Sequence, residues 1–143
     1  MNDYLNEYPI IVEQPVDWGD MDANSHVNAT IYFRYMENAR IVFYERIGKY
    51  EYEARTGVSF VVASTSCTLR HPLVYPDRLL VGTRVENISG SRIFMKYRIV
   101  STKHGLVAAD GEAIIATHHY VENKNIPFPD ELRHNIETLQ GRL

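Results

Sequence analysis

The sequence predicts an α+β fold in which a curved antiparallel sheet wraps one long helix. Three observations carry this. An apolar pattern with helical period runs from about Ala29 to Ile47. Four segments rich in strand-forming residues, joined by short turns, fill most of residues 58–120. An antiparallel sheet must bury one face, and this helix is the one large apolar element available to cover it.

The elements follow in order. PIIVEQPV, Pro9 to Val16, is rich in β-branched residues and reads as a strand. The polar stretch DMDANSHVN, Asp20 to Asn28, comes next. Beyond it Tyr32, Tyr35, Met36, Ala39, Val42 and Phe43 recur at i, i+3, i+4 and i+7. Ile31, Phe33, Ile41 and Tyr44 add apolar character on other sides, so the helix should be mostly buried. Asn28 suits its N-cap, and Gly48 its C-terminal stop. Strands are expected at Val58 to Arg70, Asp77 to Ile88, Ser91 to Thr102 and Leu106 to Tyr120. In the third, Ile93, Met95, Tyr97 and Ile99 share a face. SGS at 89–91 and KHG at 103–105 are hairpin turns. Pro129 to Leu139 reads as a terminal helix, with Pro at its start and acids in its first turn. The expected order is strand, long helix, four meandering strands, terminal helix.

A length of 143 residues suits a single domain, 1–143. At 45% apolar and 23% charged the chain reads as globular and not disordered. A net charge of -3 argues against a nucleic-acid partner. One cysteine, Cys67, excludes a disulfide framework within the chain. Without CxxC or clustered Cys/His pairs no metal is expected, and no cofactor. MNDYLNEYPI lacks the basic and apolar segments of a signal peptide, and no apolar run approaches the ~20 residues that span a bilayer. A soluble, cytoplasmic protein with no membrane partner is the expectation.

WGDMDANSHVNATIYFRYMENAR, Trp18 to Arg40, resembles the hotdog-fold acyl-CoA thioesterases, and more narrowly the 4-hydroxybenzoyl-CoA thioesterase family. Asp20, Asp22 and Val27 match its D-x-D-x-x-x-x-V motif; Tyr32 is the aromatic that follows; Glu37, Ala39 and Arg40 match its E-x-A-R-like stretch. IPFPDELR, Ile126 to Arg133, is similar to the family's ending, so the resemblance covers nearly the whole chain. It implies a hotdog fold, an acyl-CoA or acyl-ACP (acyl carrier protein) substrate, and a homodimer or homotetramer with the site at the subunit interface. Asp22, Asn24 and His26 also match the D-x-N-x-H of the plant acyl-ACP thioesterases. Where that group has an acid and often a cysteine further downstream, this chain has Leu73 and Val74.

Thioester hydrolysis needs a carboxylate that attacks the carbonyl or activates water, and donors for the oxyanion. Asp22 lies a few residues before the helix, where free backbone N–H groups and the positive dipole end stabilise an oxyanion. The backbone N–H groups of Asn28 and Ala29 are the expected donors. His26 and Asn24 are candidates for polarising or orienting water and substrate, and Asn24 suits αL turn geometry. The competing reading of Asp22 is a solvated or capping aspartate. Asp20 reads as structural, Trp18 as core or pocket wall, and Cys67 as a small buried apolar residue. In the turn at 89–92, backbone amides with Ser91 and Arg92 resemble the family's contact to CoA phosphates, against the plainer reading of an ordinary hairpin turn. Arg70, His71, Lys103 and His104 receive no role. Two alternatives stand beside thioester hydrolysis. An enoyl-thioester hydratase carries G-D-x-N-P-x-H, but here the proline is missing and His26 comes one residue early. A non-catalytic acyl-thioester binding domain would form no product.

Overall fold

In the computed structural model, which describes residues 2–141, one antiparallel sheet curls around one long helix. Strand β1 spans Ile10–Pro15 and helix α1 Ala29–Arg46, followed directly by helix α2, Lys49–Thr56. Strands β2, Val58–Leu69, β3, Arg78–Ser89, β4, Arg92–Ser101, and β5, Leu106–His119, come next. A short β6, Lys124–Asn125, and helix α3, Asp130–Gln140, complete the order.

The sheet runs β1-β3-β4-β5-β2, with β6 on β5 and every pair antiparallel. The expected four-strand meander is therefore only three strands long, β3 to β5. Strand β2 lies at the far edge beside β5, while β3 pairs with β1. The link between β2 and β3 explains the difference. Pro72 and Pro76 cannot donate to a ladder. Between them Leu73 is buried; its N–H donates to the Tyr32 hydroxyl at 3.3 Å and its carbonyl accepts from Val27 N–H at 2.8 Å. The link is pinned across the start of α1 and cannot turn back as a hairpin.

Helix α1 begins and ends as its sequence dictates. The Asn28 side chain caps it by accepting from Thr30 N–H at 3.0 Å, and Gly48 follows its end at φ 77. Tyr32, Tyr35, Met36, Ala39 and Phe43 are buried against Val81, Ile93, Met95, Tyr97, Ile99 and Ile115 of the sheet. Each large aliphatic or aromatic side chain so buried contributes about 1.5–3 kcal/mol. Helix α2 gives no sequence signal because it has eight residues and no apolar stripe. A lysine takes the inward position. Lys49 is buried with its ammonium 4.6 Å from the Tyr50 ring centroid and 2.6 Å from Glu53. No helix among the described residues is long and apolar enough to cross a membrane.

The outer face of the sheet carries interleaved charges. Asp110 on β5 is held between Arg98 on β4 and Arg70, each at 2.7 Å, and Lys96 between Glu86 and Glu112. Burial raises the Asp110 carboxyl, but the hydrogen bonds and charges of Arg98 and Arg70 outweigh it and hold it below its ordinary 3.8. A carboxyl lowered on folding adds stability that is complete above its ordinary value and is lost as pH falls through the lower folded value. Asp110→Asn is expected to lower Tm at neutral pH and to make Tm fall less steeply on acidification. Parallel Tm curves for variant and parent across an acid pH series would exclude this linkage.

Candidate active site

The site begins in the loop before α1. Asp22 N–H donates to His26 carbonyl at 2.8 Å, Ser25 N–H to Asp22 carbonyl at 3.0 Å, and Met21 bridges to Val27. The residue in the left-handed region is Ser25, φ 63, and not Asn24 as the turn chemistry had suggested. Asp20 fastens this loop to the helix. One of its carboxylate oxygens accepts from the buried Tyr35 hydroxyl at 2.7 Å and from Asp17 N–H at 3.0 Å. Burial, then the Asp20 carboxylate, push the Tyr35 phenol far above its ordinary range, so it stays a donor.

Asp22 has a different fate two residues on. Its side chain is exposed, and Oδ1 accepts from Asn24 N–H at 2.8 Å. Among the described residues no group donates to Oδ2, which is open to a water or a carbonyl carbon. Asp22 and His26 line a cavity of about 340 Å³ with Val27, Ala29, Tyr32, Leu69 at the end of β2 and Arg70, His71 and Pro72 of the β2–β3 link. Asn24 does not line it; its backbone orients Asp22.

The two expected oxyanion donors differ. Asn28 N–H is already committed to the Asp20 carbonyl at 3.0 Å, because that bond closes the loop onto the helix. The Ala29 N–H has no acceptor among the described residues, and Ala29 lines the cavity. Ser91 and Arg92 lie elsewhere in the chain. Ser91 carbonyl accepts from Thr117 N–H at 2.8 Å, and Arg92 opens β4. The cavity belongs to the other end of β4 and β5, where Arg70 N–H meets the Ala108 carbonyl. The ten residues of β4 separate the two by ~30 Å. One chain does not bring Arg92 to Asp22.

Other expectations change too. Trp18 is 72% exposed at the start of a 3₁₀ turn, so it is not core. Cys67 is half-buried against the core, and burial, with Asp110 nearby, pushes its thiol up, which fits an inert cysteine. Residues 69–72 carried no local signal as site residues, since only the crossover of β2 brings them to α1. A second cavity of about 480 Å³ lies between α1 and β2, lined by Ile31, Phe33, Glu37, Arg40, Val62 and Thr65 among others. Arg40 is buried there and donates to the Tyr97 hydroxyl at 3.0 Å.

The curled sheet around one helix and the family that the chain matches define the class: a hotdog-fold thioester hydrolase. The family model of the thioesterase-like superfamily matches residues 16–136, and the chain belongs to that family. It is 24% identical over 119 residues to the long-chain acyl-CoA thioesterase FadM of Escherichia coli, covering 83% of this chain and 90% of that protein. Among solved structures it is similar to a Thermus thermophilus thioesterase complexed with coenzyme A and Zn. That match has 28% identity and a TM-score of 0.85, covering 97% of this chain and 99% of the other. The PA2801 protein of Pseudomonas aeruginosa matches at 27% identity and a TM-score of 0.79, covering 90% and 98%.

The site analysis separates two stability roles. Asp20→Ala removes an acceptor from a buried phenol, and hydrogen bonds to charged groups are worth about 1.5–3 kcal/mol. Asn28→Ala removes an N-cap worth about 1 kcal/mol. Denaturant midpoints should fall in that order; an Asp20→Ala midpoint equal to the parent's would refute the fastening role.

Proposed function

We propose that this chain hydrolyses acyl-CoA thioesters to the free acid and the CoA thiol, with Asp22 supplying the reacting carboxylate. The observation that carries this reading is the Asp22 carboxylate itself, tethered through one oxygen and open at the other, in one cavity with Ala29. In this mechanism the substrate carbonyl oxygen meets Ala29 N–H at the positive end of the α1 dipole. Asp22 then attacks the carbonyl carbon, or takes the proton of a water that does so. His26, on the same cavity, orients that water or the carbonyl, and Asn24 orients Asp22. The acyl group lies along α1 toward the apolar part of the second cavity, at Ile31, Phe33 and Val62. The likeness to FadM favours coenzyme A over acyl carrier protein as the thiol.

The same reading makes the chain one hotdog thioesterase domain, working in the cytoplasm as a homodimer. The sheet has β1 at one edge and β2 at the other, and β2 exposes Val61 and Val62, each 45% exposed. Such an edge is a template for another strand. Val61 pairs with Ala116, which pairs with Arg92, whereas Leu69 adjoins the Asp22 cavity. Antiparallel pairing of β2 with its own copy therefore carries the Ser91–Arg92 turn of one chain toward the Asp22 cavity of the other. There Arg92 and the turn amides would meet the phosphates of coenzyme A. The charged outer face of the sheet is a poor surface for stacking a second pair, which favours a dimer over a tetramer.

A panel of short, long and aryl acyl-CoA thioesters, assayed for thiol release, tests the activity. At least one should be hydrolysed, and Asp22→Asn should lower its kcat by at least ~10²-fold with Tm unchanged. No thiol release from any CoA or acyl carrier protein thioester would overturn the reading. For the assembly, sedimentation should give a dimer at micromolar concentration, and Val62→Lys should yield an inactive monomer. A fully active monomer would exclude the shared site.

A further inference from the structure

The wall of the Asp22 cavity that comes from the β2–β3 link is built to hold its side chains still. Arg70 N–H and His71 N–H both donate to the Ala108 carbonyl, at 2.8 and 3.1 Å. Two residues on, Leu73 is tied to Tyr32 and Val27 at the start of α1. The Arg70 side chain is committed to Asp110 at 2.7 Å. The His71 side chain is not committed: among the described residues nothing hydrogen-bonds its ring, which is partly buried and lines the cavity. It packs against the imidazole of His104, with ring centroids 5.1 Å apart and planes at 56°. His26 sits on the same loop as Asp22, whereas His71 reaches the cavity from a different element.

We propose that His71, as its imidazolium, is the acid that protonates the departing thiolate. The proposal rests on the Asp22 reading. A water oxygen bonds to the carbonyl carbon and its proton passes to Asp22. The C–S bond then breaks, its electron pair stays on sulfur, and sulfur takes the proton of His71. Asp22 returns its proton through solvent to the neutral imidazole, so no further reactant is needed. If Asp22 attacks directly, sulfur is protonated in the same way and water later opens the anhydride. His71 and His104 lie in ring contact at the edge of this cavity. The charged groups around them are Asp22 and His26 across the cavity, Arg70 paired with Asp110, Lys103 beside His104, and Asp77. Asp77 accepts from Lys103 N–H and from the Ser101 hydroxyl, whose oxygen accepts His104 N–H.

The test varies the leaving group. One acyl group, chosen from the acyl-CoA panel, is offered on coenzyme A and on 4-nitrothiophenol, whose thiolate departs without a proton. His71→Gln and His71→Phe should each slow the CoA thioester by at least ~10²-fold, the low end for losing general acid catalysis, and leave the nitrothiophenyl ester near the parent rate. Asp22→Asn should slow both esters alike. Equal slowing of both esters by the His71 variants, or none, overturns the proposal. Asp22→Asn at parental rate on both overturns instead the reading on which it rests.

Discussion

Helix α1 packs so closely on the sheet that Met36 occupies the space a side chain in the middle of β5 would take. A Cβ on Gly111 would lie 2.6 Å from both the Sδ and the Cε of Met36, and 3.2 Å from the Ser66 carbonyl. The adaptable end of the Met36 side chain fills the space a side chain on β5 would need, and packs the helix tightly against the strand. With Met36 seated there, Tyr32, Tyr35, Ala39 and Phe43 follow it into the interior at helical spacing. The sheet curls because its inner residues must reach round this one cylinder.

The site hangs from the same helix face. Tyr32 and Tyr35 stand one turn apart with ring centroids 6.4 Å from each other, and each sends its hydroxyl to a different loop. Tyr35 holds Asp20 of the loop before the helix, and Tyr32 holds Leu73 of the link after β2. Two loops distant in sequence are thus gathered at one helix end by two phenols whose rings are already buried. This also explains why two aspartates two residues apart behave differently. Asp20 is consumed by Tyr35 and by the Asp17 amide, while Asp22, one bend further out, keeps an oxygen without a partner among the described residues. The structural commitment of Asp20 holds the loop in the bend that leaves Asp22 facing the cavity.

What was legible in the sequence is what local chemistry decides. The α1 period, the Asn28 cap, the stop at Gly48, the buried face of β4 and the hairpins around Gly90 and Gly105 depend on neighbours within a few residues, and all stand in the fold. Strand order is not local. The Gly-bearing turns join β3 to β4 and β4 to β5, but the same expectation carried across Pro72 and Pro76 put β2 on the wrong side of the sheet. That error hid His71, because only the crossover brings it to the cavity. Helix α2 was invisible because a lysine under aromatic rings does the work of an apolar residue. The commitment of Asn28 N–H to Asp20 was equally unreadable, since it depends on how the loop closes in space.

The edge at β2 is where the single chain is least complete. Strand β2 leaves Val61 and Val62 exposed beside a cavity whose floor includes the buried Arg40. The near partner of that guanidinium is a neutral phenol, Tyr97, and the carboxylate of Glu37 is 3.9 Å away on an exposed side chain. A buried cation with so little company is costly unless something further approaches it. The proposed pairing of β2 with its copy meets three needs through one contact. In that pairing the β2 edge is satisfied, the cavity over Arg40 is closed, and the Ser91–Arg92 turn, set apart from the Asp22 cavity in one chain by the ~30 Å length of β4, is brought in from the partner. On the proposed pairing one strand, β2, governs both assembly and chemistry.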